Sequence, residues 1–359
     1  ARWKFTVGEI DPNPQVWYVN TLASSGGDGF SWATAFQDIQ EALDIAKTDD
    51  QIWIAAGTYY PSKDENGVLG LKRTNRFSFE RDVQLIGGFP NTGDPTMEQR
   101  NPVDFATIVS GEIQQNGNLT DNVYSVFVIE DKTQLLLLDG LTIEAGYASS
   151  TPISNYGAQG GAMFLRSTGL TLRNCMMRNN TAFRGGGLAI KNGSEIVIYN
   201  SIFYENHAGR NLQTNQDQYG GAILLNSSTV DIINSTFYKN SGEYGSAVSQ
   251  GIYQADHIMA LNSTAQIYNS IFWNGLPSNS LEIESNGAFP DTSGNYFADP
   301  DFVNALTYDL SISPCSPVVD DADDSKWTLD YDYDIVGTPR TTGLDIGAFE
   351  GGTGGNVNA

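Results

Sequence analysis

Apolar residues recur at every second position around four asparagines. Four residues before Asn174, Asn200, Asn234 and Asn269 stand Leu170, Ile196, Val230 and Ala265; two before stand Leu172, Ile198, Ile232 and Ile267; two after stand Met176, Ile202, Thr236 and Ile271. The intervening positions, Thr171, Val197, Asp231 and Gln266, then Arg173, Tyr199, Ile233 and Tyr268, are mixed or polar. A period of two with one apolar side predicts short strands with one buried face. Glycine pairs open the copies: Gly160-Gly161, Gly186-Gly187 and Gly220-Gly221 each lie 14 residues before their asparagine, and Gly245-Ser246 lies 24 before its own because of an insertion around Ile252 to Met259. The asparagines themselves recur at intervals of 26, 34 and 35 residues, which is the range of stacked supersecondary units. Strands so short, joined by long glycine-rich spacers, predict coils stacked about 4.8 Å apart. The reading is all-β, a parallel β-helix, with Asn174, Asn200, Asn234 and Asn269 at its corners as a ladder of amides bonding the next coil.

The raw strand edges of a solenoid need covers. Between Ser31 and Lys47, Phe36, Ile39, Leu43 and Ala46 follow a helical period, with Thr34 and Gln37 in capping-box spacing, which predicts one amphipathic helix. Gln51 to Tyr59 then reads as the first rung, and further strands are expected at Val83 to Ile86, Thr107 to Val109, Tyr124 to Ile129 and Leu135 to Leu138. One rung per cluster gives about nine or ten. The organisation that follows is a strand extension at 1–15, an N-terminal cap and first rung at 16–60, the β-helix with long loop insertions at 61–295, an acidic, proline-punctuated C-terminal cap at 296–350 and a Gly/Asn-rich tail at 351–359.

Composition narrows the function. Against 19 Lys and Arg stand 42 Asp and Glu, a net charge of −23, so nucleic acid and anionic membrane surfaces are not expected partners. The longest apolar run, Leu135 to Leu138, stops at Asp139, far short of a membrane span. The chain opens on Ala1 rather than Met and reads as a mature protein whose export signal has been removed. Cys175 and Cys315, distant in sequence, read as two buried, unpaired thiols, with a single disulfide as the alternative.

Beyond the repeats, Trp17-Tyr18-Val19-Asn20, Gly27 to Phe36, Trp53 to Tyr59, Gly87-Gly88-Phe89, Leu138 to Ile143, Asp299-Pro300-Asp301-Phe302, Ser316-Pro317 to Asp320 and Asp345-Ile346-Gly347-Ala348-Phe349-Glu350 form a set spread over most of the chain. In these residues the sequence resembles a family of secreted right-handed parallel β-helix proteins common in Bacteroidetes, including those with a choice-of-anchor Q domain. The resemblance implies fold and export, and it implies no particular chemistry. Gly220-Gly221-Ala222-Ile223, Phe203-Tyr204-Glu205-Asn206 and Phe237-Tyr238-Lys239-Asn240 are also similar to the tetrads of chlamydial polymorphic outer-membrane adhesins; Met177 departs from that pattern in the first copy and Gly275 in the last.

Candidate chemistry is sparse. Lys72, Arg73, Arg76 and Arg81 form the densest basic cluster, His207 and His257 fall in insertions that could place them on one side, and Tyr199, Tyr268 and Trp273 are candidate stacking platforms for sugars. The run Asp320, Asp321, Asp323, Asp324, Asp330, Asp332 and Asp334 crowds carboxylates that a hard cation would bridge. Calcium is the candidate cofactor, with Asp323, Asp324, Asp330, Asp332 and Asp334 as its ligands and a solvated acidic loop as the alternative; Ile335 stands where an EF-hand glycine belongs. Finally, Arg2, Trp3, Lys4, Phe5, Thr6 and Val7 alternate as a strand without a partner in the repeat register. Two uses stay open: strand addition to a neighbouring copy, which makes the protein itself one partner, or cover for the chain's own N-terminal coil. Extracellular polysaccharide or a host or neighbouring cell surface is the other candidate partner. Three functional readings stay open: a non-catalytic surface or fibre component, a polysaccharide lyase or hydrolase, and a carbohydrate-binding adhesin.

Overall fold

The computed structural model describes residues 14–132, 135–150, 156–209, 220–242, 256–275, 283–285, 293–326, 333–340 and 343–351; the expected self-association strand Arg2 to Val7 lies outside them. The chain winds into a parallel β-helix of stacked sheets. A repeat such as Gly169–Arg173, Met176–Arg178, Thr181–Ala182 and Leu188–Lys191 visits four of them in turn. Among the described residues the first sheet has eight strands, from Val16–Val19 and Gln51–Ala55 to Thr264–Tyr268; the second has seven, from Gly57–Tyr59 to Ile271–Trp273; the short third has four; the fourth has seven, from Phe77–Ser78 to Ile283–Ser285. Among the described residues the longest sheet has eight strands, against the nine or ten rungs read from the sequence. Clusters taken as separate rungs are sides of one coil: Gln84–Phe89, Thr107–Ser110 and Phe127–Glu130 belong to the first, second and fourth sheets. Val16–Val19 pairs outside Gln51–Ala55, so the latter is the second strand of its sheet.

The N-terminal cover is smaller than expected. Its α-helix is Ile39–Ile45, with Asp38 as N-cap accepting from the Gln40 amide at 2.9 Å. Trp32–Thr34 is a separate 3-10 turn, and Phe36 is extended, its N–H donating to the Tyr18 carbonyl at 2.9 Å. An Asp at the cap position competes with helix propagation toward its N-terminal side. The helix packs on Val16–Val19, Gln51–Ala55 and Phe77–Ser78, burying Ile39, Ala42 and Leu43.

The corners reverse the alternation. Asn174, Asn200, Asn234 and Asn269 have φ of 51°, 47°, 46° and 50°, a left-handed conformation that Asn tolerates better than most residues. Each turn shifts the parity of the strand that follows. Leu172, Ile198, Ile232 and Ile267 point inward before it, but after it Met177, Phe203, Phe237 and Phe272 do, while Met176, Ile202 and Ile271 face outward against another cluster. The inward rings stack rung upon rung: Phe203 on Phe237 at 4.8 Å and 5°, and Phe237 on Phe272 at 4.7 Å and 10°.

Polar ladders run beside that column. The serine after each corner carries one: Ser201 Oγ accepts from the Cys175 N–H at 3.2 Å, Ser235 Oγ from Ser201 at 3.3 Å and Ser270 Oγ from Ser235 at 3.1 Å. The amide ladder runs through a different set of asparagines from the corner four. Asn180 Nδ2 donates to Asn206 Oδ1 at 3.0 Å, and Asn206 Nδ2 to Asn240 Oδ1 at 2.9 Å. Asn206 and Asn240 end the tetrads that begin with Phe203 and Phe237, and Asn180 ends the copy that begins with Met177; a buried amide there needs a partner. The glycine pairs mark the tightest approach of coils: a Cβ on Gly186 would lie 2.4 Å from the Gly221 carbonyl oxygen, and one on Gly221 2.2 Å from that of Asp256.

Both cysteines are free; Cys175 is buried as expected, and burial pushes its thiol up to about 12. Cys315 is exposed, contrary to expectation, because its Ser-Pro-flanked turn lies on the outside of the C-terminal segment.

Asn234 is 1% exposed and its carboxamide has no hydrogen-bond partner, so its value at the corner is conformational. Asn234→Gly is expected to unfold in urea close to wild type, whereas Asn234→Ala loses about 1–2 kcal/mol relative to the glycine variant, the cost of the left-handed backbone.

Candidate functional site on the outer face of the second sheet

Two outward columns of the second sheet carry its chemistry. The fourth residue after each corner asparagine is one of them, giving Arg178, Tyr204, Tyr238 and Trp273 in register, continued at the other end by Glu144 and Ser110. This spacing was present in the sequence, but the unshifted alternation concealed it. Arg178 Nε donates to Glu144 Oε2 at 2.7 Å and Nη1 to the Tyr204 hydroxyl at 3.0 Å. Tyr60, just beyond Gly57–Tyr59, stands near the same carboxylate: burial first, then the charges of Glu144 and Glu112, hold its phenol above the usual range.

The C-terminal segment closes over the far half of this face. Phe302, Leu310, Ile312, Val318, Ile335, Ile346, Ala348 and Phe349 cluster with Ile202, Tyr204, Tyr238 and Ile271. Tyr308 stacks on Tyr204 at 5.1 Å and donates its hydroxyl to Glu205, a bond that pushes its phenol up to about 12. Two of the corner asparagines, Asn269 and Asn200, are its anchor points. Asn269 Oδ1 accepts from the Asp323 N–H at 2.8 Å and its Nδ2 donates to the Asp323 carbonyl at 3.2 Å; Asn200 Nδ2 donates to the Tyr333 carbonyl. Asn174 instead donates to Asp139 at 2.9 Å. The cap thus lies along the side of the solenoid, over the first-to-second-sheet corner.

Within the segment, buried Arg340 donates to Glu350 and to the Gly347 carbonyl at 2.9 Å. Burial, reinforced by Asp345 and Asp334 and opposed by Arg340, pushes the Glu350 carboxyl up to about 7.

Of the expected calcium ligands, Asp323, Asp324 and Asp334 lie within the described residues. Asp334 is 2% exposed; its Oδ1 accepts from Val336 and Thr338 N–H groups at 3.0 and 2.7 Å, and its Oδ2 from Glu350 at 2.9 Å. Asp323 accepts from Ser325, and Asp324 opens a 3-10 turn with Lys326. Asp330 and Asp332 lie outside the described residues. Among the described residues no group of three or more His, Cys, Asp or Glu is placed to hold a metal, and the oxygens of Asp334 already serve as a loop's hydrogen-bond hub.

The other candidates are dispersed. Lys72 pairs with Asp64 at 2.7 Å, Arg73 donates to the carbonyls of Asn122 and Tyr147 at 2.9 and 2.7 Å, Arg76 lies over the Tyr156 ring at 4.6 Å, and Arg81 donates to the Glu80 carbonyl. His207 is half-buried, with Nδ1 2.8 Å from Ser241 Oγ, while His257 is wholly buried between Phe237 and Phe272. Tyr199 is buried, Lys326 covers Tyr268 at 4.3 Å, and Trp273 packs against the C-terminal segment.

On the first sheet, Asp139 is 1% exposed and receives Arg100 and Arg173, each at 2.5 Å. Burial would raise its carboxyl, but the two guanidinium groups overcome that and hold it below the usual range. Glu130 and Arg166 pair at 3.0 Å on the fourth sheet.

A family model for the right-handed beta helix region matches residues 139–308. Among solved structures, the chain is similar to pectate lyase Pel9A at 12% identity, covering 94% of this chain and 96% of that one with a TM-score of 0.40. It is similar to a rhamnogalacturonan lyase at 13% identity, covering 81% and 91% with a TM-score of 0.39. A pectin methylesterase from Aspergillus niger follows at 12%, covering 80% and 91% with a TM-score of 0.33. No curated protein matches. The fold is a right-handed parallel β-helix, and no helix among the described residues is long and apolar enough to cross a membrane.

Asp139→Asn leaves two guanidinium groups without their shared counter-charge. The expected loss is about 3 kcal/mol in chemical denaturation, at the lower end for a broken buried pair because Arg173 keeps part of its side chain in water. Glu350 predicts the opposite sense from an ordinary carboxylate. Its folded value, about 7, lies above the ordinary 4.5, so its contribution is full below that ordinary value and is lost as pH rises through about 7. Thermal scans across this window are expected to show a decline on the alkaline side that Glu350→Gln lacks.

Proposed function

We propose that this chain is a secreted, non-catalytic β-helix that acts outside the cell or at its surface as a structural, adhesive or self-assembling component. The observation that supports it most is the pairing of ionisable side chains on the outer columns: Asp139 with Arg100 and Arg173, Glu144 with Arg178, Glu130 with Arg166. A hydrolase needs two carboxylates free to donate and accept protons, and a lyase needs an available base; these paired charges are used instead to hold neighbouring segments together. The C-terminal segment also occupies the face where a groove would run. With −23 charges, the long flat sides suit contact with neutral or cationic surfaces better than with acidic polymers.

A second reading, glycan binding, has the uncovered half of the second sheet in its favour, where Tyr60, Glu112, Glu144 and Arg178 share one stretch. Incubation with a panel of neutral and acidic polysaccharides, followed by assays for new reducing ends and unsaturated products, is expected to show no turnover, while electron microscopy is expected to show assemblies larger than a monomer. Product release from any polysaccharide overturns the non-catalytic reading. Glycan-array binding lost in Tyr60→Ala would move the assignment to the second.

A further inference from the structure

One outer column of the fourth sheet departs from the pairing of acid with base seen on the first and second. Leu165, Ile190 and Leu225 belong to the core. Their neighbours Arg166, Lys191 and Asn226 therefore stand outward on three successive rungs, in register and about 4.8 Å apart. Two cations set side by side on a sheet repel, in a chain whose 42 acidic residues outnumber its 19 basic ones.

The two cations differ in their company. Arg166 has counter-charges, Glu130 at 3.0 Å and Asp131 at 3.8 Å. Lys191 is half-buried, and among the described residues no carboxylate pairs with it and no acceptor receives its ammonium. Burial first, then the charges of Arg184 and Arg166, hold that ammonium below the usual lysine range. Asn226, on its other side, has its carboxamide oxygen engaged by Ser227 Oγ at 3.1 Å, which leaves its N–H group to donate. The column thus offers a guanidinium, an ammonium and an amide N–H in a row, and the group in the middle lacks an acceptor.

We propose that Lys191, flanked by Arg166 and Asn226, is a binding site for a single oxyanionic group, a carboxylate or a sulfate, either free in solution or carried on a saccharide. Such a group supplies the missing counter-charge and accepts charge-assisted hydrogen bonds. The net charge of −23 does not forbid it, because at physiological salt charges farther than about 8 Å are largely screened. The site lies on a different sheet from the stretch considered for glycan binding and does not depend on that reading.

Calorimetric titration of the full chain near neutral pH tests it. The probes are inorganic sulfate, free glucuronate, a uronate oligosaccharide, a sulfated oligosaccharide and a neutral oligosaccharide of equal length. At least one anionic probe is expected to bind, with affinity about tenfold weaker or worse in Lys191→Met and kept in Lys191→Arg. Binding confined to the charged oligosaccharides assigns the group to a glycan, and equal binding of the free ions assigns it to a small anion; either upholds the site. No binding of any anionic probe, equal binding of the neutral oligosaccharide, or binding unchanged in Lys191→Met overturns it. If Lys191→Met fails to fold, Lys191→Gln is read in the same way.

Discussion

Every coil of this protein is held by hydrogen bonds to the coils above and below it in strict register, and nearly everything else follows from that constraint. A position facing inward on one coil faces inward on all of them, so each must be filled by a residue that tolerates its own kind at a distance of one rung. Flat rings satisfy the condition by stacking, as Phe203, Phe237 and Phe272 do. Side chains that both donate and accept satisfy it by bonding along the axis, as Asn180, Asn206 and Asn240 do. Glycine satisfies it where the main chains almost touch.

The same rule governs the outside, where it produces a difficulty. Like charges brought into register repel, and a chain with a large acidic excess has little room to avoid them. The outer columns alternate acid with base or aromatic: Asp139 beside Arg173 beside Tyr199, and Glu144 beside Arg178 beside Tyr204. Much of the remaining acid is gathered in the C-terminal segment, where main-chain N–H groups and Arg340 receive it.

The repeat, the strand period and the parallel stacking were legible in the sequence, because each rests on spacing alone. What spacing could not show was the parity shift at the corners. It depends on a single left-handed residue, and it moved Ile202 and Ile271 from the supposed core to the outer face and put Phe203 and Phe272 inside. The same shift hid the true amide ladder: Asn180, Asn206 and Asn240 belonged to a recognised tetrad, yet the more regular asparagines at the corners drew the assignment. The overestimate of rungs had a related source, since three sides of one early coil carry no repeat signature to join them. The acidic run was legible as composition only; whether carboxylates face a cation or their own backbone is decided by loop geometry that no pattern encodes.

A ladder of carboxamides has a direction. Each one gives a hydrogen toward the C-terminal end and another back to a main-chain carbonyl of the preceding coil, while its oxygen takes hydrogens from the N-terminal side, so along the ladder the stack is a one-way chain of dipoles and its two ends are chemically unlike. Adding another asparagine prolongs it without resolving it, because the newcomer also needs somewhere to send its N–H groups. Closure requires a side chain that accepts inside the stack without having to donate along it. Among the described residues the column of carboxamides ends at Asn240, whose Nδ2 lies 3.1 Å from Nδ1 of the buried His257 ring.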